Sequence, residues 1–128
     1  MKVDKIHHVA IICSDYEKSK HFYTNILGFS IIEETFREHR NSYKLDLRVG
    51  HNDRIELFSF PNPGPRLSNP ENCGLRHLAF AVTNLDEVVA NLESKGVSVE
   101  PIRLDELTGK RFTFFKDPDQ LPLEIYEN

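Results

Sequence analysis

The chain has little cysteine, no long apolar run and no block of like charge, and each lack excludes a class of protein. Cys13 and Cys73 are the only cysteines. They lack the CxxC spacing of a zinc knuckle, and two thiols do not make a disulfide scaffold. Cys13 lies inside an apolar run and reads as a small buried hydrophobe. No stretch approaches the ~18 consecutive apolar residues of a membrane-spanning helix, so a membrane is not expected as a partner. The opening residues Met1-Lys2-Val3-Asp4-Lys5 lack the apolar core of a secretory signal. Acids and bases are interspersed at a net charge of -4. Without a Lys/Arg run there is no nucleic-acid footprint. These features together point to the cytoplasm.

What is present suits a globular fold. The 128 residues are 39% hydrophobic and 28% charged, enough for one domain or two small fused halves. Each half alone would be marginal in core size.

The most informative feature is an internal repeat. His8-Val9-Ala10-Ile11-Ile12-Cys13-Ser14-Asp15 opens the first half and His77-Leu78-Ala79-Phe80-Ala81-Val82-Thr83-Asn84 the second. The two histidines are 69 residues apart, whereas Gly28 and Gly96 are 68 apart, so one residue slips inside the intervening helix. Ile55-Glu56-Leu57-Phe58 and Leu123-Glu124-Ile125-Tyr126 close the halves, again 68 apart.

Each half starts with an apolar strand followed by a capping-box pattern, Ser14 with Glu17 and Asn84 with Glu87. Helices follow and end at Gly28 and Gly96, where a positive φ suits glycine. Strands are predicted at Phe29–Glu33, Tyr43–Val49 and Arg54–Phe60, then at Ser98–Ile102, Arg111–Phe115 and Leu121–Tyr126. The fold class is therefore α+β, two β-α-β-β-β modules. The modules span residues 1–60 and 75–128. The Pro-rich segment 61–74 is their connector, read as a plain linker or as a lid.

Strand side chains alternate between faces. Around Glu56 and Glu124 the aliphatic neighbours Ile55, Leu57, Leu123 and Ile125 point one way and the carboxylates the other. Val9 and Ile11 oppose His8, Ala10 and Ile12, while Leu78, Phe80 and Val82 oppose His77, Ala79 and Ala81. The aliphatic face can pack on the helix of its own half, and the alanines leave room beside each His. Singly, a strand His or an outward Glu is most often a surface residue. The repeat singles out four, because His8 and His77, and Glu56 and Glu124, occupy equivalent positions. Two imidazoles and two carboxylates match a divalent cation in type and charge. His7, His21, His39 and His51 lack this symmetry and read as structural or surface residues.

With these motifs the sequence resembles the vicinal oxygen chelate superfamily, which includes glyoxalase I, bleomycin-resistance proteins and dioxygenases. The resemblance covers essentially the whole chain. It rests on Ile6-His7-His8-Val9, Ile55-Glu56-Leu57, Gly74-Leu75-Arg76-His77, and Phe115-Lys116-Asp117-Pro118-Asp119 followed by Glu124. It implies that the two modules form a curved mixed sheet around a metal cleft, with a metal held by His8, Glu56, His77 and Glu124 and Ni, Zn, Co, Mn or Fe as the ion. It also implies a homodimer, with sites inside one chain or across the interface. Lys110 matches a family lysine that contacts the anionic end of the substrate. Arg76 and Arg111 are further candidate anchors, whose alternative reading is a solvated rim.

The sequence departs from the family at four positions. Gln120 stands where the family has Gly. Pro122 enters the strand of Glu124, which implies an edge or irregular strand. The glutathione-contacting Arg and Asn of glyoxalase I fall at Ile12 and near Phe60. The reading is a glyoxalase-like lyase or isomerase working through a metal-stabilised enediolate on a small carbonyl substrate other than the glutathione hemithioacetal. Glu124 and Glu56 are its catalytic carboxylates. Alternatives are a methylmalonyl-CoA-type epimerase, an extradiol dioxygenase, an antibiotic-resistance thiol transferase, or a non-catalytic ligand-binding protein.

Overall fold

A computed structural model describes all residues from Met1 to Asn128. The chain divides into two units, Met1–Pro65 and Arg66–Asn128. Each carries one helix and one four-stranded mixed sheet. No helix is long and apolar enough to cross a membrane.

In the first unit β1 (Val9–Cys13) leads into α1 (Tyr16–His21), which continues as a π-helical turn over Phe22–Ile26. β2 (Ser30–Arg37), β3 (Ser42–Val49) and β4 (Asp53–Ser59) follow as a meander. The sheet order is β1-β4-β3-β2, with β1 parallel to β4. One face carries Ile11, Cys13, Leu45, Leu47, Ile55 and Leu57, all buried, and α1 contributes Tyr16 to the same core. The Cys13 thiol lies 3.3 Å from the Phe58 carbonyl oxygen, which accepts its S–H.

The second unit repeats the plan. β5 (Leu78–Val82), α2 (Leu85–Ser94), β6 (Arg103–Leu104), β7 (Arg111–Lys116) and β8 (Pro122–Glu127) give the order β5-β8-β7-β6. Leu85 and Leu92 of α2 are buried with Phe115, Leu121, Leu123 and Ile125. The β-α-β-β-β grammar, read from the repeat, is the observed architecture of each unit.

The one-residue slip between the halves has a structural form. Asp15 to Gly28 is one residue longer than Asn84 to Gly96, and the extra residue is absorbed as a π-turn, the usual form of a single insertion in a helix. At the end of α2, Val97 N–H bonds Leu92 O at 3.0 Å and Gly96 N–H bonds Glu93 O at 3.0 Å. That is a Schellman ending, with Gly96 at φ 82. Gly28, at φ 78, ends the first helix, but there Phe29 N–H reaches back to Tyr23 O at 3.0 Å.

Three local expectations are corrected. The cap of α1 is Asp15, whose carboxylate accepts from Lys18 N–H at 3.1 Å, not Ser14. Both residues suit the role; β1 ends at Cys13, and Ser14 lies in the bend between strand and helix. Asn84 caps α2 as expected, accepting from Glu87 N–H at 3.2 Å. No strand forms over the expected Ser98–Ile102; β6 instead covers Arg103–Leu104. Glu100 N–H does bond Phe114 O at 2.9 Å, but Pro101 has no N–H and regular pairing resumes only beyond it. Finally, Pro122 does not mark an edge. β8 is paired on both sides, and Pro122 is its first residue, a position where a missing donor is tolerated.

Candidate metal centre

The parallel pairing of β1 with β4 sets Ala10 opposite Glu56. His8 stands two residues before Ala10, so its side chain emerges on the same face. The small methyl of Ala10 lets the imidazole lean across, and His8 Nε2 lies 3.4 Å from Glu56 Oε2. The second unit repeats this register. β5 runs parallel to β8 with Ala79 opposite Glu124, and His77 Nε2 lies 3.0 Å from Glu124 Oε2. Two donors that share one cation at about 2.0–2.2 Å each sit roughly 3 Å apart. Each His–Glu pair therefore has the donor chemistry and the spacing of half a divalent-metal site. No group of three or more His, Cys, Asp and Glu side chains forms a metal-sized cluster.

The two pairs differ in their surroundings. In the first unit Asp46 stands opposite Glu56 and is 4% exposed. Lys44 Nζ lies 3.2 Å from Asp46 and 3.4 Å from Glu56. These carboxylates raise the Lys44 pKa against the opposing effect of burial, which is the largest single influence on it. In the second unit Phe114 stands opposite Glu124, and the His77 ring meets Phe114 edge-on at 5.2 Å. The first pair is thus wrapped in charge, the second in aromatic rings. Tyr126 and Phe112 stack at 6.3 Å on the same face as Glu124.

The sequence reading missed Lys44, Asp46 and Arg37, which share the face of Glu56. Ser42, Lys44 and Asp46 alternate with Tyr43, Leu45 and Leu47, so a polar stripe opposite an apolar one was present in the sequence. Arg37 pairs with Ser42 across β2 and β3. It donates to Ser42 Oγ at 2.7 Å and lies over the Phe58 and Phe60 rings, 4.8 and 5.5 Å from their centres.

The three expected substrate anchors sit differently. Arg76 is exposed and pairs with Glu71 at 3.3 Å. Lys110 is exposed, at the end of a turn closed by Asp105 N–H on the Lys110 carbonyl at 2.8 Å. Arg111 alternates with Phe112 and Phe114 along β7, so it points to the helix side, away from the His77–Glu124 face. Its guanidinium lies 2.9 Å from Asp86 and 2.7 Å from Glu127, joining α2 to β8. It holds both carboxyls below the ordinary carboxylate range. At the glutathione-contact positions, Ile12 is exposed beside Glu56's face, and Phe60 stacks near Phe58 at 6.0 Å.

A mixed β-α-β-β-β sheet in each unit, with a His–Glu pair at one register, defines a class. The chain belongs to the Glyoxalase/Bleomycin resistance protein/Dioxygenase superfamily, whose family model matches residues 5–125. The protein YwkD of Bacillus subtilis (strain 168) is 64% identical over 127 residues, covering 99% of each chain. A glyoxalase family protein from Enterococcus faecalis, of known crystal structure, is 48% identical with a TM-score of 0.90, over 96% of this chain and 97% of that one. The lactoylglutathione lyase of Schizosaccharomyces pombe (strain 972 / ATCC 24843) is 31% identical over 146 residues, covering 98% of this chain and 48% of that protein.

Proposed function

We propose that the protein is a divalent-metal-dependent lyase or isomerase of the glyoxalase type. It would act as a cytoplasmic homodimer that moves a proton between adjacent carbons of a small carbonyl compound, through an enediolate. The observation that carries this reading is the repeated His–Glu pair, His8 with Glu56 at 3.4 Å and His77 with Glu124 at 3.0 Å, at the same register of two parallel strand pairs. His8, Glu56, His77 and Glu124 are the ligands in this proposal, for Ni, Zn, Co, Mn or Fe. When bound, the metal supplies Lewis acidity that polarises a carbonyl oxygen.

The proton is assigned to a carboxylate of the chain, and the surroundings favour Glu124. Glu56 faces two cationic or potentially cationic neighbours, His8 and Lys44, which fix it as a steady ligand. Glu124 meets His77 and the Phe114 side of β7, so it has fewer ties to break when it takes up and returns a proton. Lys110 and Arg76 are retained as rim anchors for a substrate anion. Arg111, on the opposite face and held by Asp86 and Glu127, is not used as an anchor. Ile12 and Phe60 offer no polar partner for the carboxylates of glutathione, and a desolvated charge without a partner is costly. Turnover of the methylglyoxal–glutathione hemithioacetal is therefore expected to be weak or absent.

The test begins with metal content. The purified protein should carry close to one divalent ion per chain, and His77→Ala should lose it. Full occupancy in that variant removes His77 from the site.

A further inference from the structure

We propose that Arg37, oriented by Ser42, Phe58 and Phe60, is a specificity-determining anchor for a terminal oxyanion, a carboxylate or phosphate, of a small ligand on the His8–Glu56 face. The register puts it there. Arg37 stands opposite Ser42 on β2–β3, and Ser42, Lys44 and Asp46 lie on one face of β3. Asp46 in turn stands opposite Glu56, and Lys44 opposite Phe58. Arg37, Lys44, Asp46, Glu56 and His8 therefore occupy one surface of the first unit.

The charges on that surface are unequally paired. Lys44 serves both Asp46 and Glu56, at 3.2 and 3.4 Å. If Glu56 is committed to a metal, Lys44 keeps Asp46. Arg37 has no carboxylate within ion-pair distance. One of its five N–H donors goes to Ser42 Oγ at 2.7 Å, and its Nε is buried with no acceptor at all. That Nε is closed to solvent, so a ligand would be met by the Nη N–H groups that Ser42 does not take.

Several other arginines have partners of their own. Arg111 holds Asp86 and Glu127, Arg76 holds Glu71, and Arg66, whose Nε is also buried without an acceptor, donates to the Leu75 and Arg76 carbonyls. Arg103 offers the sharpest contrast. It also lies over two rings, Phe112 and Phe114, at 5.1 and 5.4 Å, but Glu100 stands 3.7 Å away.

The aromatic bed explains why Arg is suited here. Rings at 4.8 and 5.5 Å hold the guanidinium through cation–π contact and fix its plane. Ser42, fully buried, fixes one corner. What is left is a preset N–H edge of the geometry that grips an oxyanion through two parallel bonds. Lysine has one charge point and no such edge.

Assigning this anchor to a substrate rests on the reading of the face as a metal-assisted carbonyl site, whereas the anion binding itself does not. The experiment is calorimetric titration of the purified protein with three probes: pyruvate, dihydroxyacetone phosphate and uncharged hydroxyacetone. Metal content is measured on the same samples. At least one charged probe should bind more than tenfold tighter than hydroxyacetone, and whichever is tighter identifies carboxylate or phosphate as the anion. Arg37→Gln should reduce that preference by roughly 10–100-fold, the range for a lost hydrogen bond to a charged partner. Arg37→Lys should recover only part of it, and Arg40→Gln, on an exposed turn, should leave it intact. A charge preference that survives in folded Arg37→Gln overturns the proposal, as does failure of all three probes to bind. Metal-free protein that still shows the Arg37-dependent preference would keep the anchor and remove the metal chemistry. Metal-loaded protein without it would do the reverse.

Discussion

At Gln120 the chain keeps a family turn with an unfavourable residue. Its φ is 69, a left-handed conformation that costs an L-residue about 1–2 kcal/mol. The turn survives because Asp117, buried, organises it. Asp117 Oδ1 accepts from Asp119 N–H at 2.8 Å and Leu121 N–H at 2.9 Å, and the Gln120 N–H bonds the Asp117 carbonyl at 3.0 Å. Gln120→Gly removes the strain but frees the unfolded chain, so the net gain should be about 0.5–1 kcal/mol. Urea unfolding measures it, and a loss of stability would show that the Gln side chain has a role of its own. Among the candidate site residues, the decisive comparison is between the two carboxylates. Glu124→Gln should retain appreciable metal yet lose roughly 10²–10⁴-fold in turnover, the range for a removed general base. Glu56→Gln should chiefly weaken metal retention. Inactivity of metal-loaded Glu56→Gln beside a near-normal Glu124→Gln would exchange their roles.

At the scale of elements, α1 is tied to the edge strand β2 by polar contacts. Tyr16 O–H donates to Glu34, and Lys20 Nζ lies 2.7 Å from the same carboxylate. Lys20 first, then Tyr16, lower the Glu34 pKa. Burial, then the Glu34 hydrogen bond, raises that of Tyr16. A carboxyl with a depressed folded pKa contributes stability above its unfolded value, ~4.3, and loses it as pH falls through the folded value. The phenol works in the opposite sense: its contribution is present below ~10 and fades as pH rises beyond that. Glu34→Gln should therefore lower the melting temperature at pH 7, with the deficit shrinking toward pH 3. A deficit independent of pH would mean that the charge of Glu34 plays no part.

The elements also show what the sequence could and could not disclose. The repeat, the helix-ending glycines and the inward aliphatic stripes were legible because each depends on local spacing. Ser14 and Asp15 are both good caps, so only the exit angle of β1 chooses between them. Lys44, Asp46 and Arg37 were out of reach for a different reason. Alternation gives the face of a residue, but the register of β3 on β4 gives its neighbour, and that register is set by the turn through Gly50. The π-turn lay between these cases: the spacing announced an extra residue without saying how the helix would hold it. Deleting Asn25 should restore the spacing of the second half and leave a cooperatively unfolding protein. Deleting Asn91 from the regular α2 should not. Equal damage from both deletions would count against the π-turn as the seat of the insertion.

For the whole molecule, the two units share a plan and differ in the chemistry of one face. The first surrounds its His–Glu pair with Lys44, Asp46 and Arg37, the second with Phe112, Phe114 and Tyr126. Assembly is open to direct measurement. Ile31, Ile32 and Phe36 are exposed on the edge strand β2, and Leu104 and Leu107 are exposed at and beyond β6. Apolar side chains at unpaired edges favour association. Sedimentation at micromolar concentration should give a homodimer, and a monomer there would leave those side chains without a partner.

The placement of the two thiols makes the first unit observable at a single atom. Cys73 is exposed, while Cys13, the last residue of β1, is 1% exposed. A disulfide reagent should therefore modify one thiol per native chain at once, and the second only when β1 separates from its core. The slow phase would report how often the first unit opens, and the fast phase would count the chains in the same cuvette.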